Sequence, residues 1–244
     1  MTNPAIEVSG LCKCYGRVVA VDHISFDVPA GTTCALLGGN GAGKTTTLSM
    51  LLGVLLPTAG NIRILGVDMI RNRYAALPRM NFTSPYVDLP RRLTVAQNLD
   101  VYARLYGIGK RAERLRQVAE TFDLEDLLKR PYGSLSAGQR TRVSLAKALL
   151  NEPAVLLMDE PTASLDPSSA DRIRTYLQNY QRRTGATVLL ASHNMQEVER
   201  LCEEVLMLKQ GRIVDRGAPK TLVHKYGRDT LEQVFIDIDR DERI

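Results

Sequence analysis

Short unbroken apolar runs alternate along the chain with stretches in which apolar side chains recur every third or fourth position. Residues 32–37, 154–158 and 186–191 are runs of strand length, and continuous apolarity marks strands covered on both faces. A helix is expected from about 44 to 52, directly after the first run. Residues 93–128 show helical spacing instead: Leu99, Tyr102, Ala103 and Tyr106 fall on one face, and Leu115, Val118, Ala119 and Phe122 repeat the pattern. Late in the chain, residues 205–208, a Lys209-Gln210-Gly211 turn and residues 212–215 read as a hairpin. This order predicts an α/β fold, a mostly parallel sheet with crossover helices, into which a helical lobe is inserted. With no internal repeat or low-complexity linker, residues 1–244 are expected to form one domain, its core about 1–84 and 151–244 and its lobe about 85–150.

Composition narrows the class. Hydrophobic residues make up 44% and charged residues 24%, ordinary for a globular chain and too apolar for a disordered one. The longest apolar stretches span a few residues, whereas a membrane-crossing helix needs about 20. The opening Met-Thr-Asn-Pro has neither the basic nor the apolar region of a signal peptide, and a cytoplasmic protein is expected. A net charge of +5 suits a nucleotide ligand or an anionic membrane surface. The 32 basic residues are interleaved with 27 acidic ones, and no nucleic acid is expected as partner. Cys12, Cys14, Cys34 and Cys202 are expected as free thiols, because Cys12-x-Cys14 has no second Cys or His pair at zinc-like spacing and His23 stands alone.

Two local patterns carry chemistry. Gly38-Gly39-Asn40-Gly41-Ala42-Gly43-Lys44-Thr45 fits the phosphate-loop pattern in full, with Thr46 continuing into the predicted helix. Small residues let the backbone wrap a phosphate with its N–H groups turned inward, and the helix adds its positive end. Lys44 supplies a mobile charge for the β- and γ-phosphates, and the Thr45 hydroxyl is a candidate ligand of Mg²⁺. A plain glycine-rich turn is the competing reading, which the strand before and the helix after disfavour. Further on, the run ending at Met158 continues into Asp159-Glu160-Pro161. Two carboxylates at the end of a buried strand are costly unless they serve an ion or a reaction, and strand carboxyl ends are where α/β sheets bind ligands. Asp159 is placed to hold Mg²⁺ and Glu160 to polarise the attacking water. Alone, the pair also reads as the solvated start of a loop.

Further motifs carry a family resemblance. Leu135-Ser136-Ala137-Gly138-Gln139 resembles the LSGGQ signature of ABC-type ATPases, and lies about twenty residues before the acidic pair as that family requires. Ser164-Leu165-Asp166 matches its D-loop, Ser192-His193 its histidine switch, and Tyr15-Gly16 resembles its adenine-stacking aromatic. The resemblance covers essentially the whole chain in the right order. It implies a P-loop NTPase of ABC type with an N-terminal antiparallel β part, binding ATP and Mg²⁺. Physically, Ser136 and Gln139 form a capping-box pattern opening a helix to about Leu150, whose dipole favours an anion. Without the family this is a helix cap, His193 a structural histidine and Tyr15 a packing aromatic. With it, Ser136, Gly138 and Gln139 receive the γ-phosphate held by a second copy, and His193 contacts the γ-phosphate and orients base and water.

One departure stands out. Where the family carries a glutamine touching Mg²⁺ and the attacking water, this chain has Asn81-Phe82-Thr83-Ser84-Pro85-Tyr86. Thr83 or Ser84 is the nearest polar substitute, and a hydroxyl does not span the distance of an amide, so water-mediated metal contact and slower turnover are expected. Ala137 in place of a glycine is a milder change. The resemblance implies the ATP-binding subunit of a transporter, on the cytoplasmic face of the membrane, a peripheral partner of an integral membrane permease received by residues 85–92 and the helical lobe. The tail Thr230-Leu231-Glu232-Gln233-Val234-Phe235 and Ser192-His193-Asn194-Met195 resemble type-two exporter ATPases, which favours export. The alternative, a soluble ABC ATPase acting on ribosomes or DNA, lacks its usual second ATPase unit, coiled coil or basic extensions. A non-hydrolysing binding module is opposed by Glu160 and His193.

Overall fold

The computed structural model describes residues 3–84, 87–163 and 165–240. Two long strands open the chain, β1 (Pro4–Tyr15) and β2 (Val18–Pro29), followed by β3 (Thr33–Leu37) and helix α1 (Lys44–Leu51). Strands β4 (Ala59–Ile64), β5 (Val67–Asp68) and β6 (Met80–Thr83) lead to three helices, α2 (Val95–Leu105), α3 (Arg111–Thr121) and α4 (Ala137–Ala148). The remainder alternates: β7 (Val155–Asp159), α5 (Pro167–Thr184), β8 (Thr187–Ser192), α6 (Met195–Leu201), the hairpin β9 (Glu204–Lys209) and β10 (Arg212–Gly217), then α7 (Pro219–Lys225) and α8 (Leu231–Arg240). One antiparallel sheet has the order β2-β1-β4-β5. The other, β10-β9-β3-β8-β7-β6, is parallel except for its terminal hairpin.

Every residue of β3, β7 and β8 is buried, and period-two geometry divides these residues between two cores. Leu36, Leu157 and Leu189 join a cluster with Ile6, Val8, Ile62 and Leu48, against the antiparallel sheet and α1. Leu37, Met158 and Leu190 join the other cluster, with Leu99, Val118, Leu177 and Val198 from the lobe and the crossover helices. That double coverage is why these strands are continuous apolar runs. The α2–α4 lobe packs into the same cluster as the sheet.

Strands β1, β2, β4, β5 and β6 escape the pattern reading, and for β1 and β6 the physical reason is visible. In β1 the inward alternation of Ile6 and Val8 is interrupted at Gly10, with φ +58° and shifted pairing on both sides, so Leu11 and Cys12 are both buried. The segment around Asn81, where the family's glutamine is missing, begins as an edge strand, β6, parallel to β7. Its polar residues are satisfied: Asn81 Nδ2 donates to Asn151 Oδ1 (2.8 Å) and Asn81 Oδ1 accepts from the Phe82 amide (2.8 Å). Pro85 and Tyr86, at the end of that stretch, lie outside the described residues.

Helix α4 is joined to β6 by a buried lysine. Lys147 Nζ donates to the Phe82 carbonyl (3.1 Å), lies 3.4 Å from Asn81 Oδ1, and sits 5.3 Å from the centre of the Tyr102 ring. Among the described residues no carboxylate pairs with it, and burial pushes its ammonium pKa down to about 8. Below about pH 8 the group is charged in both folded and unfolded chains and the burial penalty is present in full. Between about pH 8 and 10.5 the unfolded chain holds the extra proton, so the residue's contribution to stability rises with pH, by about 3 kcal/mol in all. Lys147→Met is therefore expected to lose that rise: its stability relative to the native chain falls by about 2–3 kcal/mol from about pH 7.5 to about pH 10. Urea unfolding of both proteins at the two pH values measures it, and an unchanged difference contradicts the assignment.

Candidate active site

The loop after β3 turns sharply into α1. At Gly38 a Cβ would stand 2.5 Å from the Leu208 carbonyl oxygen and 2.8 Å from the Ala42 methyl. At Gly43, with φ +104°, it would stand 2.6 Å from the Ala20 carbonyl oxygen. Only glycine fits either place. Gly43 is also the N-cap of α1, which starts with no side-chain cap, so the helix end offers its amides and positive dipole to an anion. Asn40, Gly41 and Thr45 are exposed at this end, Gly39 and Thr46 are half-buried, and Ala42 is buried. Lys44 folds back over the loop, its Nζ donating to the carbonyls of Gly38 (2.6 Å) and Gly39 (3.1 Å). Burial lowers its pKa, opposed by the nearby charges of Glu160 and Asp159.

Strand β7 delivers the acidic pair to the same place. Asp159 is 3% exposed and accepts a hydrogen bond from the Thr45 hydroxyl at 3.1 Å. Burial raises its pKa, partly offset by that bond, while the charge of Glu160 raises it further. Glu160 has left-handed backbone, φ +49°, held by its amide donating to the Ala191 carbonyl at 2.8 Å. Its Oε1 lies 2.7 Å from Nδ1 of His193, the residue following β8. An ionised carboxylate only accepts, so with Glu160 ionised this contact places the proton on Nδ1; Nε2 has no hydrogen-bond partner among the described residues, on a side chain that is 67% exposed.

Thus Lys44, Thr45, Asp159, Glu160 and His193 converge. Ser136, Gly138 and Gln139 do not join them. They start α4 as a complete capping box, Gln139 N–H donating to Ser136 Oγ (3.3 Å) and Ser136 N–H to Gln139 Oε1 (3.0 Å), and no hydrogen bond among the described residues links them to the loop. Tyr15 ends β1, 51% exposed, with Lys13 Nζ 5.3 Å from its ring centre. Asp166 caps α5, accepting from the Ser168 hydroxyl (2.7 Å) and the Ser169 amide (3.0 Å), which hold its carboxyl far below the usual range; Ser164 lies outside the described residues. Thr83 and Ser84, both nearly buried, line a cavity of about 270 Å³ together with Glu160, Asp88, Arg91 and Arg140. The four cysteines are free thiols. Sequence reasoning missed Thr162 and Glu197, which are hydrogen-bonded to each other and tie the turn after Glu160 to Ser192, the residue before His193. A glutamate in the first turn of a helix looks like any dipole-favoured Glu, and only the fold reveals its burial.

Comparison with known proteins agrees with this geometry. Residues 21–163 match the ABC transporter family. The chain is 38% identical over 238 residues to the Nod factor export ATP-binding protein I of Ralstonia nicotianae, covering 95% of this chain and 73% of that protein. It is 40% identical to the protein of the same description from Paraburkholderia xenovorans, covering 95% and 77%. A solved ATP binding subunit of an ABC transporter superposes with a TM-score of 0.86 at 26% identity, over 96% of this chain and 99% of that one. The cbiO1 protein of Clostridium perfringens, part of the ABC transporter complex cbiONQ, superposes with a TM-score of 0.79 at 29% identity, over 92% of each. With a glycine loop at an uncapped helix, an acidic pair at a strand end and a histidine set against it, this chain is an ATP-binding ATPase and belongs to the ABC transporter family.

Proposed function

We propose that the chain drives substrate export by hydrolysing ATP between two copies of itself docked on a separate membrane permease. The observation that carries the catalytic part is the 2.7 Å contact between Glu160 and His193, beside the Thr45–Asp159 hydrogen bond. In this reading the amides of residues 38–45 and the start of α1 hold the phosphates, Lys44 swings from its carbonyl partners to the β- and γ-phosphates, and Tyr15 stacks on adenine. Thr45 and Asp159 present two hard oxygen donors in contact, on a carboxyl that burial makes reluctant to ionise alone, a pair suited to a small dication completed by water and phosphate oxygens. When bound there, Mg²⁺ supplies charge neutralisation on the phosphates. Glu160 accepts a proton from the attacking water as the water's oxygen bonds to the γ-phosphorus and the bond to the ADP oxygen breaks. His193 fixes the orientation of that carboxylate through Nδ1 and reaches the γ-phosphate through Nε2.

The exposure of Ser136 at a helix start unconnected to its own loop supports the composite site, in which residues 136–139 of a second copy close on the γ-phosphate. Relatives described as export ATP-binding proteins support an export role and a permease partner, and no described helix is long and apolar enough to cross a membrane. The cavity beside Ser84, between β6 and α4, supports the groove that receives the permease, with the chain peripheral on the cytoplasmic face. The whole chain acts as one unit, since lobe and sheet share a core.

Glu160→Gln is expected to keep ATP binding, lower turnover at least about a hundredfold and accumulate an ATP-bound dimer, seen by phosphate release and size-exclusion chromatography. Native turnover in that variant removes Glu160 from the general-base role. Lys44→Ala is expected to weaken binding of a non-hydrolysed ATP analogue by roughly 10- to 100-fold in calorimetry, the loss of charge-assisted contacts to phosphate. An unchanged affinity contradicts the phosphate role.

A further inference from the structure

Glu197, in the first turn of α6, is 1% exposed, and among the described residues no basic side chain forms an ion pair with it. Both its oxygens are engaged by hydroxyls, one from the turn after β7 and one from the end of β8. Oε1 accepts from Thr162 at 2.9 Å, and Oε2 accepts from Ser192 at 2.7 Å. Burial pushes its pKa up; the hydroxyls of Ser192 and Thr162 and, through space, the charge of Arg174 oppose that, while the charge of Glu160 adds to it. A buried carboxylate so weakly compensated contributes little to stability that an apolar side chain would not, so its place needs another explanation.

The identity of its two partners supplies one. Thr162 lies two residues after Glu160, and Ser192 immediately precedes His193. The Glu160 backbone is left-handed, a conformation a non-glycine residue keeps only where its surroundings over-determine it. One restraint is its own amide on the Ala191 carbonyl (2.8 Å), and another is the Ala163 amide on the Glu160 carbonyl (3.3 Å). The Thr162–Glu197 hydrogen bond is the third, and it anchors the far side of the turn to α6. On the other arm, Ser192 Oγ also accepts from the Asn194 amide (3.1 Å), and Asn194 Oδ1 accepts from the Glu197 amide (3.2 Å), closing a ring about the start of α6. One rigid carboxylate therefore spans the loop that carries Glu160 and the strand end that carries His193.

We propose that Glu197 is a positioning residue for ATP hydrolysis: by holding Thr162 and Ser192 together it sets the Glu160–His193 contact, without touching nucleotide itself. This rests on the catalytic reading of Glu160 and His193 given above.

The test uses the purified full chain with MgATP and three variants. Thr162→Val keeps the shape and removes one anchoring hydroxyl. Glu197→Gln keeps an acceptor, and Glu197→Ala removes both anchors. The expected result for Thr162→Val is a kcat lowered on the order of tenfold or more, with KM and the affinity for a non-hydrolysed analogue within about twofold of native. Glu197→Gln is expected to retain more turnover than Glu197→Ala. A native kcat in both Thr162→Val and Glu197→Gln overturns the proposal. So does a loss that merely tracks the folded fraction and lowers nucleotide affinity in parallel. Glu160→Gln separates the two levels. If it retains native turnover, the catalytic reading fails by itself; if it is inactive while Thr162→Val and Glu197→Gln turn over normally, that reading stands and the positioning role falls.

Discussion

Strands β3, β8, β7 and β6 are parallel and end in step, and the site depends on that register. Leu37 pairs with Ser192, Asp159 with Ala191 and Thr83 with Met158. The next residue on each strand, Gly38, His193, Glu160 and Ser84, thus emerges along one edge of the sheet. Because β3, β7 and β8 are buried on both faces, polar chemistry has no place along them except at their ends. The packing that makes the strands apolar is the same constraint that concentrates the loop, the acidic pair and the histidine at their carboxyl ends.

The charges gathered there are mutually dependent. Asp159 is nearly buried with a hydroxyl for its partner, and the adjacent Glu160 works against its ionisation. Lys44 loses solvation in the same space and is favoured by both carboxylates. Within this trio one cation stands against two carboxylates beside a positive helix end, a local field that a further cation makes better suited to an incoming polyanion. That electrostatic requirement, together with the two oxygen donors in contact, is the physical basis for reading Thr45 and Asp159 as a metal pair.

Local features were legible in the amino-acid order. The glycine loop, the acidic pair, the α4 capping box and the Gln210-Gly211 hairpin turn each lie within a few consecutive residues, and the turn shows the left-handed backbone such a pair favours. What depended on distant contacts was not. The antiparallel part came from family resemblance, since the bulge at Gly10 breaks the alternation of β1. The strand β6 was hidden by the polar Asn81 and Thr83, whose burial is stabilised by partners such as Asn151, seventy residues further along. Glu197 was silent for the same reason: Thr162 is thirty-five residues away and Ser192 five, and nothing about a glutamate in the first turn of a helix marks it as buried.

The helix starts show how two halves of a composite site can be built from one chain. The N-terminus of α1 has no side-chain cap and is free to receive phosphate directly through its amides. That of α4 is already capped, and Ser136 Oγ is occupied as an acceptor by the Gln139 amide. A serine hydroxyl still has its proton to give, and the capping bond turns the oxygen so that this donor is presented from an exposed helix end. In the proposed composite site Ser136, acceptor inward and donor outward, serves helix stability and anion contact at once. Among the described residues no hydrogen bond joins it to the loop of residues 38–45, and in the proposed dimer the anion that such a donor serves is brought by the second copy.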